Sequence, residues 1–206
     1  MRTESGVAGR RSFIEEARRR QIVEAATRVV AEVGYGRASL ARIAERAGTS
    51  KSVISYHFDG KDELLEQVAR QYLDGAGAAM EERLADAGTP IERIRAWVGA
   101  QMQYLTADRT GFLAMVEIVT NHRRPDGTRP FDGMDEEETE ILGRLLSEGR
   151  ALGEVRDLDA DATAVIIQQS MEGLLSRWAY NDAFDVTAHI PALVDFIDHA
   201  IRRDPG

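Results

Sequence analysis

The sequence predicts an all-α chain of nine helices, three near the N-terminus and six after them. Three observations predict it. Apolar residues recur at spacings of three and four along most of the chain. No run alternates apolar and polar residues as a half-buried strand requires. Ser, Thr, Asp and Gly stand at the intervals where helices need N-terminal caps and left-handed stops.

Residues 1–12 are rich in Gly, Arg and Ser without periodicity and read as a flexible basic arm. From Phe13 the spacing turns helical, with Ile22, Ala25, Ala26, Val29, Val30 and Val33 on one face and Gly34 and Gly36 ending the helix. Ser39 caps a short helix whose inner face is Leu40, Ile43, Ala44 and Ala47, and Gly48 stops it. Ser50 caps a third short helix carrying Val53, Ile54 and Phe58. Asp59 caps a fourth, from about 60 to 85, anchored by Leu64, Leu65, Val68, Tyr72 and Met80, with Asp62 and Glu63 favourably placed in its first turn. Within it, Gly75 and Gly77 read either as a hinge or as a place where another helix packs closely. Gly88, Thr89 and Pro90 close that segment. Further helices are expected over 90–107, 109–123, 133–151, 160–180 and 187–203, with the longest loop between 124 and 133.

At 206 residues, with 43% hydrophobic and 30% charged, the chain has the composition of a soluble globular protein with a real core. No stretch approaches the roughly 18 to 20 apolar residues that span a bilayer, and Met1 to Arg11 lack an apolar signal core. A cytoplasmic protein without membrane association is therefore expected. The absence of cysteine excludes disulfides, thiolate zinc sites, iron–sulfur clusters and a cysteine nucleophile. The net charge of −9 hides a split. Residues 1–58 hold 11 Lys and Arg against 6 Asp and Glu, a net +5, whereas residues 59–206 carry a net −14. A short basic head on a long acidic body suggests a polyanion-binding module joined to something else. The plainer reading is a solvated arginine face.

The two short helices, Leu40–Ala47 and Ser50–His57, meet through Gly48 and Thr49 in the pattern of a helix-turn-helix. Such a pair cannot bury its apolar face alone, and the first helix supplies the missing surface. The second short helix exposes Thr49, Ser50, Lys51, Ser52, Ser55, Tyr56 and His57: hydroxyls, one cation, a phenol and an imidazole. Its N-terminal amides and hydroxyls suit phosphate oxygens, and its side chains suit base edges in a major groove.

The stretch from Gln21 to Leu65 resembles the DNA-binding domain of the TetR family of bacterial transcriptional regulators. The matching elements are Ala25-Ala26, Gly34-Tyr35, Ser39, Ile43-Ala44, Ala47-Gly48-Thr49-Ser50, Tyr56-His57-Phe58 and Lys61-Asp62-Glu63-Leu64-Leu65. The resemblance implies that the Ser39 hydroxyl caps the second helix and contacts phosphate, that Tyr56 and His57 face DNA, that Phe58 anchors the recognition helix and that Lys61 reaches the backbone. Three positions depart from the family's usual residues. Ser39 replaces a threonine and keeps the hydroxyl, whereas Ser52 and Ser55 replace a common glycine and a frequent aromatic on the DNA-facing surface. The last two bear on which operator is read.

The resemblance continues more weakly through residues 90–206. It implies a three-helix DNA-binding domain at 13–60 and a six-helix ligand-binding and dimerisation domain at 61–206. Met171-Glu172-Gly173-Leu174-Leu175 and Trp178 look like the family's eighth helix, which pairs with the ninth in a dimeric four-helix bundle. This helix carries an apolar stripe at Ile167, Met171, Leu174 and Trp178. Its flatter side of Ala162, Ile166, Gln169, Gly173 and Arg177 is suited to a homodimer. For a small-molecule effector the candidates are Trp97, Gln101, Met102, Phe112, Met115, Val119, His122 and Met171, a lining of aromatics, adaptable methionines and a few polar groups. Plain core is the alternative for each, and for His122, with Arg123 and Arg124, a solvated helix end. The acidic run Asp135 to Glu138 reads as charge at a helix N-terminus rather than as a metal site.

An enzyme is disfavoured. None of the four histidines has an acid three residues before it, and no phosphate-loop, dinucleotide or nucleophile-elbow motif occurs. No catalytic residue, metal or cofactor is therefore expected. The expected function is a repressor released from a pseudo-palindromic operator by a small molecule. The alternative is a dimeric small-molecule-binding or adaptor protein whose helix-turn-helix no longer reads DNA.

Overall fold

A computed structural model describes residues 4–203, with the side chains of 13–203 apart from residue 135. The chain is all-α, and the helices run in order α1 (Glu4–Val33), α2 (Leu40–Arg46), α3 (Lys51–His57), α4 (Gly60–Ala85), α5 (Pro90–Ala107), α6 (Arg109–Asn121), α7 (Met134–Ala151), α8 (Ala160–Tyr180) and α9 (Ile190–Ile201). Short 3-10 turns at Tyr35–Arg37 and Thr187–His189 precede α2 and α9. The only extended pairing among the described residues is a single antiparallel bridge between Val155 and Arg202.

Local chemistry sets these boundaries. The Ser39 and Ser50 hydroxyls accept from the backbone N–H of Arg42 and Val53, as cap residues should. Thr89 and Glu92 form a reciprocal capping box at α5, with Pro90 in its first turn, and Asp159 caps α8 through the N–H of Ala162. Gly48, at φ +59°, makes the left-handed stop after α2. Two boundaries differ from expectation. The helix begins at Glu4, so most of the segment read as a flexible arm continues α1, while residues 1–3 lie outside the described residues. At the other end, α9 proper starts at Ile190 behind the 3-10 turn, because Pro191 sits in its first turn and lacks the N–H to extend the helix backwards.

The chain divides into two compact units, residues 1–72 with 110–130 and residues 73–109 with 131–206. This departs from a boundary at residue 60, since the first half of α4 and nearly all of α6 belong with the helix-turn-helix. In the first unit Ile22, Ala26 and Val30 of α1, Ile43 of α2, Ile54 and Phe58 around α3, Leu64 and Leu65 of α4 and Ile118 of α6 are buried. In the second, α7 packs on α5 and α8, and α9 packs on α5. Its core includes Ile94, Val98 and Met102 of α5, Leu142 and Leu146 of α7, and Ile167 and Met171 of α8. The α8 stripe is corrected at its C-terminal end. Leu175 and Ala179 are buried, while Leu174 and Trp178 are half-buried, because spacings of four from Met171 hold the core face one residue further round than the stripe assumed.

Candidate nucleic-acid interface

The reading head is assembled from its caps outward. After α2 the N–H groups of Gly48 and Thr49 return to the carbonyls of Glu45 and Ala44, at 3.1 and 2.9 Å, which closes the turn into α3. From α1, the Gln21 side chain donates to the Ala47 carbonyl at 2.8 Å. The Arg19 guanidinium donates to the His57 carbonyl and lies 4.1 Å from the centre of the Phe58 ring. Arg46 of α2 donates to Glu32 of α1, at 2.8 Å for one of its nitrogens. Phe58 and Ile54 hold α3 from inside, only 2% and 0% exposed. The short recognition helix is thus tied at both ends and pinned at its centre, which leaves its outer face free of structural duty.

That outer face carries Lys51, Ser52, Ser55 and Tyr56, all exposed, Tyr56 by 71%. The Ser50 hydroxyl lies 2.8 Å from that of Ser52 while capping Val53. Thr49 and His57 are half-buried, and the Tyr56 and His57 rings meet edge to face at 5.0 Å. No residue of α3 is acidic. A polyanion can therefore approach this face without meeting a carboxylate from the helix itself. Ser39, half-buried, stands at the start of α2 with its hydroxyl engaged in the cap. Lys61 is placed differently from a lysine reaching into solvent. Its ammonium donates to the Tyr35 carbonyl at 3.1 Å and sits 4.6 Å from the centre of that ring, and burial lowers its pKa.

The turn at Tyr35 is the anchor beneath this surface, and sequence reading did not identify it as one. Its N–H donates to Glu117 at 2.9 Å, its carbonyl accepts from Lys61, and its hydroxyl lies 3.1 Å from Nδ1 of His122. The other ring nitrogen of His122 lies 3.2 Å from Glu66. Glu66 also accepts two 2.7 Å hydrogen bonds from Arg124 and one at 3.2 Å from Arg70. The Arg124 hydrogen bonds are the largest cause that holds the Glu66 carboxyl down at about 2, with His122 and Arg70 adding to them against the opposing effect of burial. Burial, then the nearby Asp62 charge, raises the pKa of the Tyr35 hydroxyl. His122 is not a solvated helix end. It is fully buried, with both ring nitrogens engaged, and Arg124 faces Glu66 rather than a free anion. Partners more than fifty residues apart along the chain leave no local sequence signal for this network.

The effector candidates fall into two groups. Phe112, Met115, Val119 and His122 lie on or just after α6 in the first unit, while Trp97, Gln101, Met102 and Met171 lie in the second. All four of the second group are buried. Glu138 departs from its expected role as charge at a helix start. Its carboxylate accepts from the side-chain amides of both Gln101 and Gln168, each at 2.8 Å. On α8 the residues expected at a subunit interface, Ile166, Gln169, Gly173 and Arg177, are exposed, Ile166 by 61%. Val165 on the same helix and Phe196 on α9 are also exposed large apolar residues.

Residues 22–68 match the family model described as bacterial regulatory proteins, tetR family. The HTH-type transcriptional regulator BetI 1 of Chromohalobacter salexigens is 39% identical over 98 residues, which is 47% of this chain and 48% of that protein. The match thus spans about half the length of that relative. The HTH-type transcriptional repressor Rv1474c of Mycobacterium tuberculosis is 29% identical over 91% of this chain and 94% of its own length. Among solved structures, the ketosteroid transcriptional regulator KstR2 of Mycobacterium tuberculosis superposes with a TM-score of 0.77, at 19% identity, over 91% of this chain and 96% of that one. That likeness concerns the fold.

Proposed function

We propose that the chain is a transcriptional regulator of the TetR family, a homodimeric repressor that binds a pseudo-palindromic operator and leaves it when the second unit takes up a small molecule; the family-model match over residues 22–68 and the relatives named above support this reading. One observation carries the DNA-binding part. The acid-free face of α3 is exposed while every tie that positions the helix comes from behind or from its ends. Ser39, Thr49, Ser50, Lys51, Ser52, Ser55, Tyr56, His57 and Lys61 are its contact set. Hydroxyls and Lys51 meet phosphate at the helix start, and Tyr56 reaches base edges. Two such helices in a two-fold dimer, joined through the exposed faces of α8 and α9, read half-sites about 34 Å apart, one turn of B-DNA.

No helix among the described residues is long and apolar enough to cross a membrane, in keeping with a regulator that works on DNA in the cytoplasm. The test is a mobility-shift titration with the promoter beside the protein's own coding region, repeated across salt concentrations. Specific binding is expected, weakening with a log–log slope of about −0.9 for each phosphate neutralised. A shift that is absent, or indifferent to salt, supports instead an adaptor whose helix-turn-helix has lost its DNA.

A further inference from the structure

The second unit buries polar atoms that its own fold leaves unanswered. Trp97, Gln101 and Gln168 are 3%, 5% and 6% exposed, and the indole N–H of Trp97 and the side-chain carbonyl oxygens of both glutamines have no hydrogen-bond partner. Buried polar atoms in a native core are ordinarily paired, so three orphans at one helix seam call for an explanation. Turning the amides round does not supply one. Both side-chain N–H groups donate to the same oxygen of Glu138, and a flip would set each carbonyl against a carboxylate. Glu138 on α7 therefore fixes the orientation of Gln101 on α5 and Gln168 on α8, so that two acceptors are left over. Trp97 stands one turn before Gln101 on the same face of α5 and adds one donor. Around them the seam is apolar, with Ile94, Met102, Leu142 and Ile167 buried on the three helices.

We propose that this seam is the polar anchor of the effector site and that it selects a neutral, hydroxyl-bearing apolar molecule, an alcohol or a phenol. The ligand hydroxyl donates to the carbonyl oxygen of Gln101 or Gln168 and accepts from the Trp97 N–H. A hydroxyl is the smallest group that does both. An ester or ketone can only accept and leaves both glutamine oxygens unpaired. A protonated amine can donate to both glutamine oxygens but leaves the indole unpaired and carries its charge into an apolar seam. The proposal rests on the second unit being the effector module.

Calorimetry on the full-length protein with matched probes tests it, using 1-octanol, octylamine and methyl heptanoate. Octanol is expected to bind saturably, with the ester about tenfold weaker, the effect of one further unmade hydrogen bond to a buried group, and the amine weaker by the cost of burying its charge. Trp97→Phe, which removes the indole N–H, and the double variant Gln101→Met/Gln168→Met, which removes both acceptors, are each expected to weaken octanol by about fivefold or more, with thermal melts confirming that each variant is folded at the assay temperature. For octylamine, Trp97→Phe is expected to change nothing. Absence of saturable octanol binding overturns the proposal, as does an ester that binds equally or a pair of variants that both bind like the parent. Octylamine binding as tightly as octanol also overturns it and assigns the seam to cations through Glu138. Operator binding measured on the same preparation separates the two readings. Octanol binding without a DNA shift sinks the regulator and leaves the site, and a DNA shift without octanol binding does the reverse.

Discussion

Tyr56 and Lys61 stand side by side in the expected contact set, yet their surroundings differ. The Tyr56 ring is mostly exposed and tied to no backbone group, whereas Lys61 holds the Tyr35 turn. Tyr56→Ala is therefore expected to weaken operator binding by about tenfold, in the range of one lost base-edge contact, with an unchanged melting temperature. Lys61→Ala is expected to lower both operator affinity and melting temperature, and a mobility shift paired with thermal melts distinguishes the two. Glu66 makes the complementary prediction in pH. Its carboxyl is held at about 2, against an ordinary 4.5, so its contribution to stability is present in full above pH 4.5 and is lost as the pH falls toward 2. Glu66→Gln is expected to flatten this acid limb of the stability curve in denaturant titrations. An acid limb identical to the parent's would show that the Arg124 pairing contributes nothing to folding. The cap at Ser50 was legible from residue type and spacing alone. The roles of Arg19, Glu66 and His122 were not, because each acts on a partner distant in sequence.

Helix α4 shows the same division one scale up. Its extent was readable from its apolar spacing and from Gly88 and Pro90 beyond it. Its two glycines could not be told apart by sequence. The structure separates them: a Cβ at Gly75 would collide with the Tyr104 hydroxyl, while one at Gly77 would meet open space, and the helix runs unbroken through both. Close packing accounts for Gly75. Gly77→Ala is then expected to stabilise the protein by up to about 1 kcal/mol, the helix-propensity difference. Gly75→Ala is expected to be less stable than Gly77→Ala because the Tyr104 ring must move, and Tyr104→Ala should restore the gain. Thermal melts of Gly75→Ala, Gly77→Ala, Tyr104→Ala and the pair Gly75→Ala/Tyr104→Ala decide it, the pair being compared with Tyr104→Ala alone. Equal effects at the two positions would remove the packing argument and return the hinge.

At the scale of the whole molecule, the acid excess resides outside the reading head. The exposed face of α8 bears Val165, Ile166, Gln169, Gly173 and Arg177, and a Cβ at Gly173 meets nothing within its own chain, which leaves room for a second helix to come close. Ile166→Glu would place a carboxylate from each protomer in the proposed α8 interface. It is expected to give a monomer by analytical ultracentrifugation and to lose operator binding while keeping its helical circular dichroism. A dimer that survives would move the interface elsewhere.

By itself the sequence determined the helical class, the caps and stops of the reading head, and the residue types on the outer face of α3. All of these depend on periodicity and on chemistry within a few residues, which one chain displays openly. Only the tertiary structure decided that α6 and the residue that follows it join the head through Glu117 and His122, that Lys61 is a tether as well as a cation, and that Glu138 turns inward to orient two glutamines. The reason is physical. A side chain's partner is set by where the fold brings distant segments together, and a buried polar group takes whichever partner it finds there, because leaving it unpaired costs more than any local preference supplies.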